Sequence, residues 1–198
     1  MATKTLVSFD ECKITDTHIN QYDRSTGTLS SDKAQRLGCT GKIEISSEYK
    51  TIVKNCEGVE EKSVKKITKL TGNISVHMPL AIARLVFGLS NKGLKSGVYG
   101  LSDTSNVPNM CLTSKAVDLF TDEEKYICLP NISITSGFAK VIDNTAEEIA
   151  EVSLEFNGYK DSNKEFYYEA CASEIDAETI GNKWLENFTP ELVKAVSE

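Results

Sequence analysis

Alternation of apolar and polar residues dominates the first half of this chain. From Lys42 to Val53 the apolar Ile43, Ile45, Tyr49 and Val53 fall on odd positions, and Lys42, Glu44, Ser46, Glu48 and Lys50 fall on even ones. From Val64 to Met78 the apolar set is Val64, Leu70, Ile74, Val76 and Met78. The opposite set is Lys65, Lys69, Thr71, Asn73, Ser75 and His77. A period of two sends such sets to opposite faces of a strand. The intervening Cys56 to Lys62 is polar and holds Gly58. Together these segments predict a long two-stranded hairpin with one core face and one polar face.

The period then changes. Pro79 to Gly88 opens on Pro, runs through Ala and Leu and closes on Gly, which predicts a short helix with a glycine stop. It is apolar nearly all round and should be buried against the sheet. From Ser90 to Pro108 the chain holds Gly93, Gly97 and Gly100 among Ser, Asn and Asp, a loop longer than most connections and of the kind that carries function or moves. A second hairpin is predicted with arms Cys111 to Phe120 and Tyr126 to Ile134 around the acidic turn 121–125. A third is predicted over 148–172, with Ala150, Val152, Leu154 and Phe156 on one face of its first arm and a turn at 158–164. Thr145 and Glu148 also fit a capping box that would open a helix. The β-branched and aromatic residues from Val152 onward favour the strand.

The ends differ from the middle. Thr15 to Gly38 is polar and poor in apolar residues, as in a loop or arm. After Glu174 two weak helical pieces are split at Pro190, and Trp184 and Phe188 are placed to pack a C-terminal arm. The predicted organisation is an N-terminal strand and arm over 1–39, a β domain over 40–174, and a C-terminal helical arm over 175–198.

Composition narrows the function. The chain has 198 residues, with 22 basic against 29 acidic and a net charge of −7. Clustered Lys and Arg are the footprint of general nucleic-acid binding, and this balance argues against it and against anionic membrane surfaces. No apolar run reaches the 18–20 or so residues of a spanning helix, and 1–9 lacks a signal-peptide pattern, so the chain reads as made and kept in a cytoplasm or released by another route. The six cysteines lack Cys-x-x-Cys spacing and read as reduced, mostly buried small apolar residues.

Candidate chemistry is thin. His18 lies in the polar N-terminal segment and His77 on the polar face near a strand end; metal sites need clusters. Glu147, Glu151 and Glu155 recur every fourth residue and suggest a solvated face rather than a glycosidase pair. Asp122 to Glu124 lacks a calcium-loop pattern, and the glycines fit no phosphate motif. Lys62, Lys65, Lys66 and Lys69 form a basic group that period two scatters over both faces. No catalytic, cofactor-binding or metal-ligating residue is expected. A β core with polar arms and a long loop is read most economically as an interaction or assembly protein.

The order of segments resembles a known family. Cys56 to Ser63, then Lys69 to Leu80, then Leu85 to Leu89 is similar to the strand, buried helix and glycine end of siphophage major tail proteins, the tail tube proteins. Ala116 to Phe120 with its acidic turn, Ile127 to Ile134, and Glu148 to Phe156 followed by Phe166 to Tyr168 resemble that family's final two hairpins. The likeness spans about 40–172.

The resemblance implies a mainly β fold, an antiparallel β-sandwich or partial barrel with one flanking α-helix, a long loop and extended terminal arms. It implies no cofactor and no enzymatic role. It implies hexameric rings stacked into a tube in the virion tail, assembled in a bacterial cytoplasm, with other tail proteins as partners and double-stranded DNA only in transit. Lys42, Glu44, Ser46, Lys69, Thr71 and Asn73 would then line the lumen. Glu57, Gly58, Val59, Glu60, Glu61 and Lys62 would reach the next ring, and Gly93, Lys95, Tyr99 and Asp103 would contact a neighbouring subunit. An acidic lumen would repel phosphates and let DNA slide; a basic lining would argue the other way. A tube protein of a contractile tail or secretion-like system, a β-sandwich binding module, and a thiol or carboxylate enzyme on a β scaffold are the alternatives.

Overall fold

A computed structural model of the protein describes residues 9–22, 28–30, 32–140 and 151–195. The strands are β1 (Glu11–Gln21), β2 (Gln35–Arg36), β3 (Cys39–Cys56), β4 (Val59–His77), β5 (Met110–Asp118), β6 (Glu124–Ile134), β7 (Val152–Gly158) and β8 (Tyr168–Cys171). The helices are α1 (Leu80–Val86) and α2 (Asn182–Asn187). All eight strands join one antiparallel sheet in the order β2-β1-β5-β6-β7-β4-β3, with β8 added on β6. The sheet does not close. The fold is therefore mainly β, as the alternation predicts, with a second helix in the C-terminal segment beside the expected flanking one.

The two predicted hairpins form. β3 and β4 pair from Cys39↔His77 to Cys56↔Val59, and β5 and β6 pair from Met110↔Ile132 to Val117↔Glu124. The third does not. β7 pairs with β4 over 70–76 and with the end of β6, whereas β8 pairs with the start of β6. β6 changes partner between Cys128 and Ile132, and Pro130, which has no amide hydrogen to give to a ladder, sits at the changeover. Val152, Leu154 and Phe156 do share a face, toward the core; Ala150 and the Thr145–Glu148 capping box lie outside the described residues.

The polar N-terminal segment is also corrected. β1 runs to Gln21 and lies inside the sheet between β2 and β5. Its buried polar residues, Thr17 and Asn20, each find a partner. The Thr17 and Ser114 hydroxyls share a hydrogen bond of 2.9 Å. Asn20 donates to the carbonyls of Ser30 and Asp32 and to Asn187 Oδ1, each at 3.3 Å.

The main core lies on one face of the sheet, where Leu70, Ile74, Met110, Leu112, Leu129, Ile132, Leu154 and Phe156 meet Ile82, Val86 and Phe87 of the α1 segment. Burying each such side chain contributes about 1.5–3 kcal/mol before the entropy cost of ordering it. Leu80 on the outer side of α1 stays exposed, so the helix is buried on one side only. It ends as its sequence predicts. Gly88 takes φ +67°, its amide donates to Leu85 O and the Leu89 amide to Arg84 O, the paired bonds of a Schellman stop. A second core covers the opposite face of β5 and β6. Trp184 and Phe188 pack there on Cys111, Tyr126 and Cys128, and Trp184 Nε1 donates to Ile127 O at 3.2 Å. β5 and β6 are thus buried on both faces, and their long apolar runs follow from it.

Candidate functional site

The β3–β4 hairpin outgrows the sheet that holds it. β7 covers β4 only over 70–76, so residues 48–69 pair with nothing but each other. Every residue from Glu44 to Thr68 is exposed. At the tip Glu57 and Gly58 take φ of +52° and +83°, the left-handed pair of a tight two-residue turn. β3 is the last strand of the sheet, and no described strand bonds to its outer edge over 18 residues. A two-stranded ribbon is marginal in water by itself, and a long uncovered edge is a template for another strand.

A bulge decides what each face of this arm presents. Glu48 pairs with Lys69 and Tyr49 with Ile67, which leaves Thr68 extra. One unpaired residue reverses the odd–even parity of everything beyond it. The core face therefore continues along the arm through Ile45, Tyr49, Ile67 and Val53, which are 37%, 58%, 42% and 43% exposed. Period two placed Val64 on that face and Lys65 on the other. The register exchanges them: Val64 pairs with Ile52 on the polar face, and Lys65 pairs with Thr51 on the apolar one.

The same parity change gathers lysines that the sequence pattern scattered. Lys50 stands opposite Lys66 and Lys54 opposite Lys62, on the face that also carries Lys42 and Lys69. Lys42 is paired with Glu44 at 2.6 Å, Lys69 with Glu48 at 3.2 Å, and Lys54 with Glu61. Lys50, Lys62 and Lys66 have no ion-pair partner among the described residues.

The six residues expected on a lumen wall are together on this face. Glu44 pairs with Asn73, Ser46 with Thr71 and Lys42 with Ser75, while Lys69 lies one step outward. β7 adds Ser153, Glu155 and Asn157, which the sequence reading did not join to the hairpin. Asn73 Nδ2 donates to Ser153 Oγ at 2.7 Å, and Lys69 Nζ donates to Asn157 Oδ1 at 3.2 Å. A shallow groove lined by Glu44, Ser46, Thr71, Asn73, Glu155 and Asn157 runs along it. The face is polar and hydrogen-bonded, with no deep pocket. Of the tip residues, Glu57 and Gly58 form the turn and Val59, Glu60, Glu61 and Lys62 belong to β4; all are exposed.

The long loop is anchored at both ends of one lobe. Ser90 and Gly100 exchange backbone hydrogen bonds of 3.0 and 2.9 Å, and the Arg84 guanidinium lies 3.9 Å from the centre of the Tyr99 ring. Gly93 and Gly97 take the positive φ of its turns, Lys95 O accepts from the Val98 amide, and Lys95 and Asp103 face solvent. Leu94, Val98 and Leu101 remain about half exposed.

The remaining chemistry-bearing groups are dispersed. His18 Nδ1 bonds the Asp16 carbonyl at 2.7 Å, and His77 Nε2 lies 3.7 Å from Glu151. Glu155 is on the polar arm face, apart from that pair, and Glu147 lies outside the described residues. Of the five cysteines whose side chains are described, only Cys111 and Cys128 are buried; Cys39 and Cys56 are exposed at the two ends of β3, which corrects the expectation of mostly buried thiols. Cys111 and Cys128 lie 3.7 Å apart, and burial pushes the Cys128 thiol well above its ordinary range, away from nucleophilic chemistry. No protein-family model matches the chain, and no curated protein does.

Proposed function

We propose that this protein is a structural subunit that assembles with copies of itself into rings stacked as a tube, the tail tube of a phage, through which DNA passes. The observation that carries the reading is the arm. Its 18-residue outer edge is unpaired among the described strands, and its apolar face runs past the body through Tyr49, Ile67 and Val53. A lone subunit leaves both uncovered. A neighbouring strand along β3 would satisfy the edge, and a neighbouring subunit would cover the stripe. Copies joined this way and related by rotation close into a ring, which removes the edge altogether. The order of hairpins and helix over about 40–172, with its resemblance to tail tube proteins, points the same way.

The polar face of β3, β4 and β7 is then the lumen wall. Its basal part is close to charge balance, because Lys42 and Lys69 are paired with Glu44 and Glu48 and Glu155 adds a further negative charge. Its unbalanced lysines stand on the arm. The lining that lets DNA slide is therefore a balanced one, in place of the strongly acidic wall that a net charge of −7 suggested.

Concentrated protein followed by sedimentation and negative-stain electron microscopy tests the reading. Rings or tubes of uniform width are the expected products. A chain that stays strictly monomeric at every concentration, with and without nucleating tail components, rules it out.

A further inference from the structure

Charge is segregated within this chain. Residues 39–77 hold seven of the 22 basic residues and five of the 29 acidic ones, so this segment carries +2 and the remainder −9. The excess is displayed at one place. On the polar face of the arm the Ile52–Val64 pair, 50% and 55% exposed, is framed by Lys50 opposite Lys66 on one side and Lys54 opposite Lys62 on the other. Like charges directly across a ladder destabilise it, so the isolated arm holds an arrangement that an anionic, partly apolar partner would relieve.

The β5–β6 turn is the complement. Leu119 and Phe120 are 62% and 77% exposed at its tip, followed by Asp122, Glu123 and Glu124. An exposed phenylalanine is ordinarily free to swing. Here the turn is held by Asp118, whose Oδ1 accepts from the Phe120 and Thr121 amides at 2.8 Å each and from the Thr121 hydroxyl at 2.9 Å. Glu124 is engaged by Lys115 at 2.9 Å and Glu123 by the Ser173 amide at 2.8 Å, whereas Asp122 has no ion-pair partner among the described residues. The backbone of the turn is thus preformed, with an uncommitted anion beside its apolar tip, and a preformed backbone loses little entropy on docking.

We propose that the β5–β6 turn of one copy docks on the arm of another, with Leu119 and Phe120 over the Ile52–Val64 pair and Asp122 among the surrounding lysines. The occupant is a second copy because the body of the same chain carries the opposite charge excess; in this the proposal rests on the self-assembly reading above. Two apolar residues meet two, and Lys50, Lys62 and Lys66, which have no ion-pair partner among the described residues, gain a counter-charge; Lys54 already has Glu61.

A photo-cross-linking residue in place of Phe120, in an equal mixture of ¹⁴N- and ¹⁵N-labelled chains, tests the contact in assembled material. Mass spectrometry should find mixed-isotope cross-links from position 120 to residues 50–66. Cross-links elsewhere in intact assemblies overturn the docking and leave self-assembly standing; failure of the unsubstituted chain to assemble at any concentration overturns both. The double variant Lys62→Glu/Lys66→Glu gives an independent readout. It turns both like-charge pairs into opposite-charge pairs, so the monomer keeps or gains thermal stability. The concentration needed for assembly should nonetheless rise on the order of tenfold or more. Unchanged assembly overturns the proposal, as does loss of binding to a double-stranded oligonucleotide with assembly unchanged, which would give the lysine face to nucleic acid.

Discussion

The ring of Phe156 lies over Gly72, its direct partner across the β7–β4 ladder. A methyl group at Gly72 would collide with that ring and with the Glu44 carbonyl. The glycine lets a large aromatic residue, 1% exposed, close the core where the arm leaves the body. Gly72→Ala should therefore destabilise by about 1–3 kcal/mol, as overpacking does. For a chain of this size each kcal/mol is a fall in Tm of roughly 2–4 °C. Differential scanning calorimetry checks it; an unchanged Tm would mean that Phe156 has room to move aside.

Acid should loosen the turn that Asp118 organises. The carboxylate accepts from the amides of Asp10, Thr121 and Phe120 and from the Thr121 hydroxyl, and these bonds hold its pKa down to about 2, below the ordinary 3.8. A depressed folded-state pKa contributes stability that is fully present above about pH 4 and is lost as pH falls toward about 2. In Asp118→Asn the Tm should be lower at neutral pH, and its decline between pH 4 and pH 2 should be shallower than in the wild type. Circular dichroism melts across that range measure both.

Thiol reactivity should rank the cysteines by burial. Cys39 and Cys56 are exposed, and Cys171 is half-buried with its thiol pushed up by burial and by Glu174 and Glu123. Cys111 and Cys128 are buried against each other and against Trp184. Iodoacetamide should label Cys39 and Cys56 first, Cys171 more slowly, and Cys111 and Cys128 only on unfolding. Peptide mapping against time gives the order. Early labelling of Cys128 would show that the C-terminal segment leaves its place on β5 and β6.

The apolar stripe should matter for association and not for folding. Tyr49→Ser/Ile67→Ser removes side chains that are 58% and 42% exposed in the subunit. The monomer's Tm should move by less than about 0.5 kcal/mol worth of stability, as surface substitutions do. Assembly, followed by light scattering, should be weakened by several-fold or more. A large loss of monomer stability with unchanged assembly would place the stripe in the subunit's own core.

Much of this architecture is written locally. Alternation over 42–53 and 69–78 marks the long hairpin and its faces, the Glu57-Gly58 turn closes it, and Gly88 stops α1 through the left-handed conformation that its sequence position suggests. Lys42, Glu44 and Ser46 share a face of β3, and Lys69, Thr71 and Asn73 a face of β4, by strand geometry, and the register that pairs Glu44 with Asn73 and Ser46 with Thr71 makes it the same face. Local pattern misleads where a partner lies far away in sequence. β1 is polar, yet it pairs inside the sheet, and its Thr17 and Asn20 are buried because Thr17 finds Ser114 and Asn20 finds Asn187. β7 and β8 are consecutive and look like a hairpin, yet each takes a different stretch of β6, and β7 also takes β4.

The sequence by itself determined the strands of the two long hairpins, which residues alternate along them and where their turns and the helix stop fall, because these depend on backbone conformation within a few residues. Only the tertiary structure decided the partner of each strand and the side to which each alternating set turns beyond Thr68. Parity along a strand survives only while every residue is paired. The Thr68 hydroxyl bonds the Glu48 carbonyl at 3.1 Å beside an unpaired position, and beyond it Lys50, Lys54, Lys62 and Lys66 come to stand on one face and Lys65 on the other.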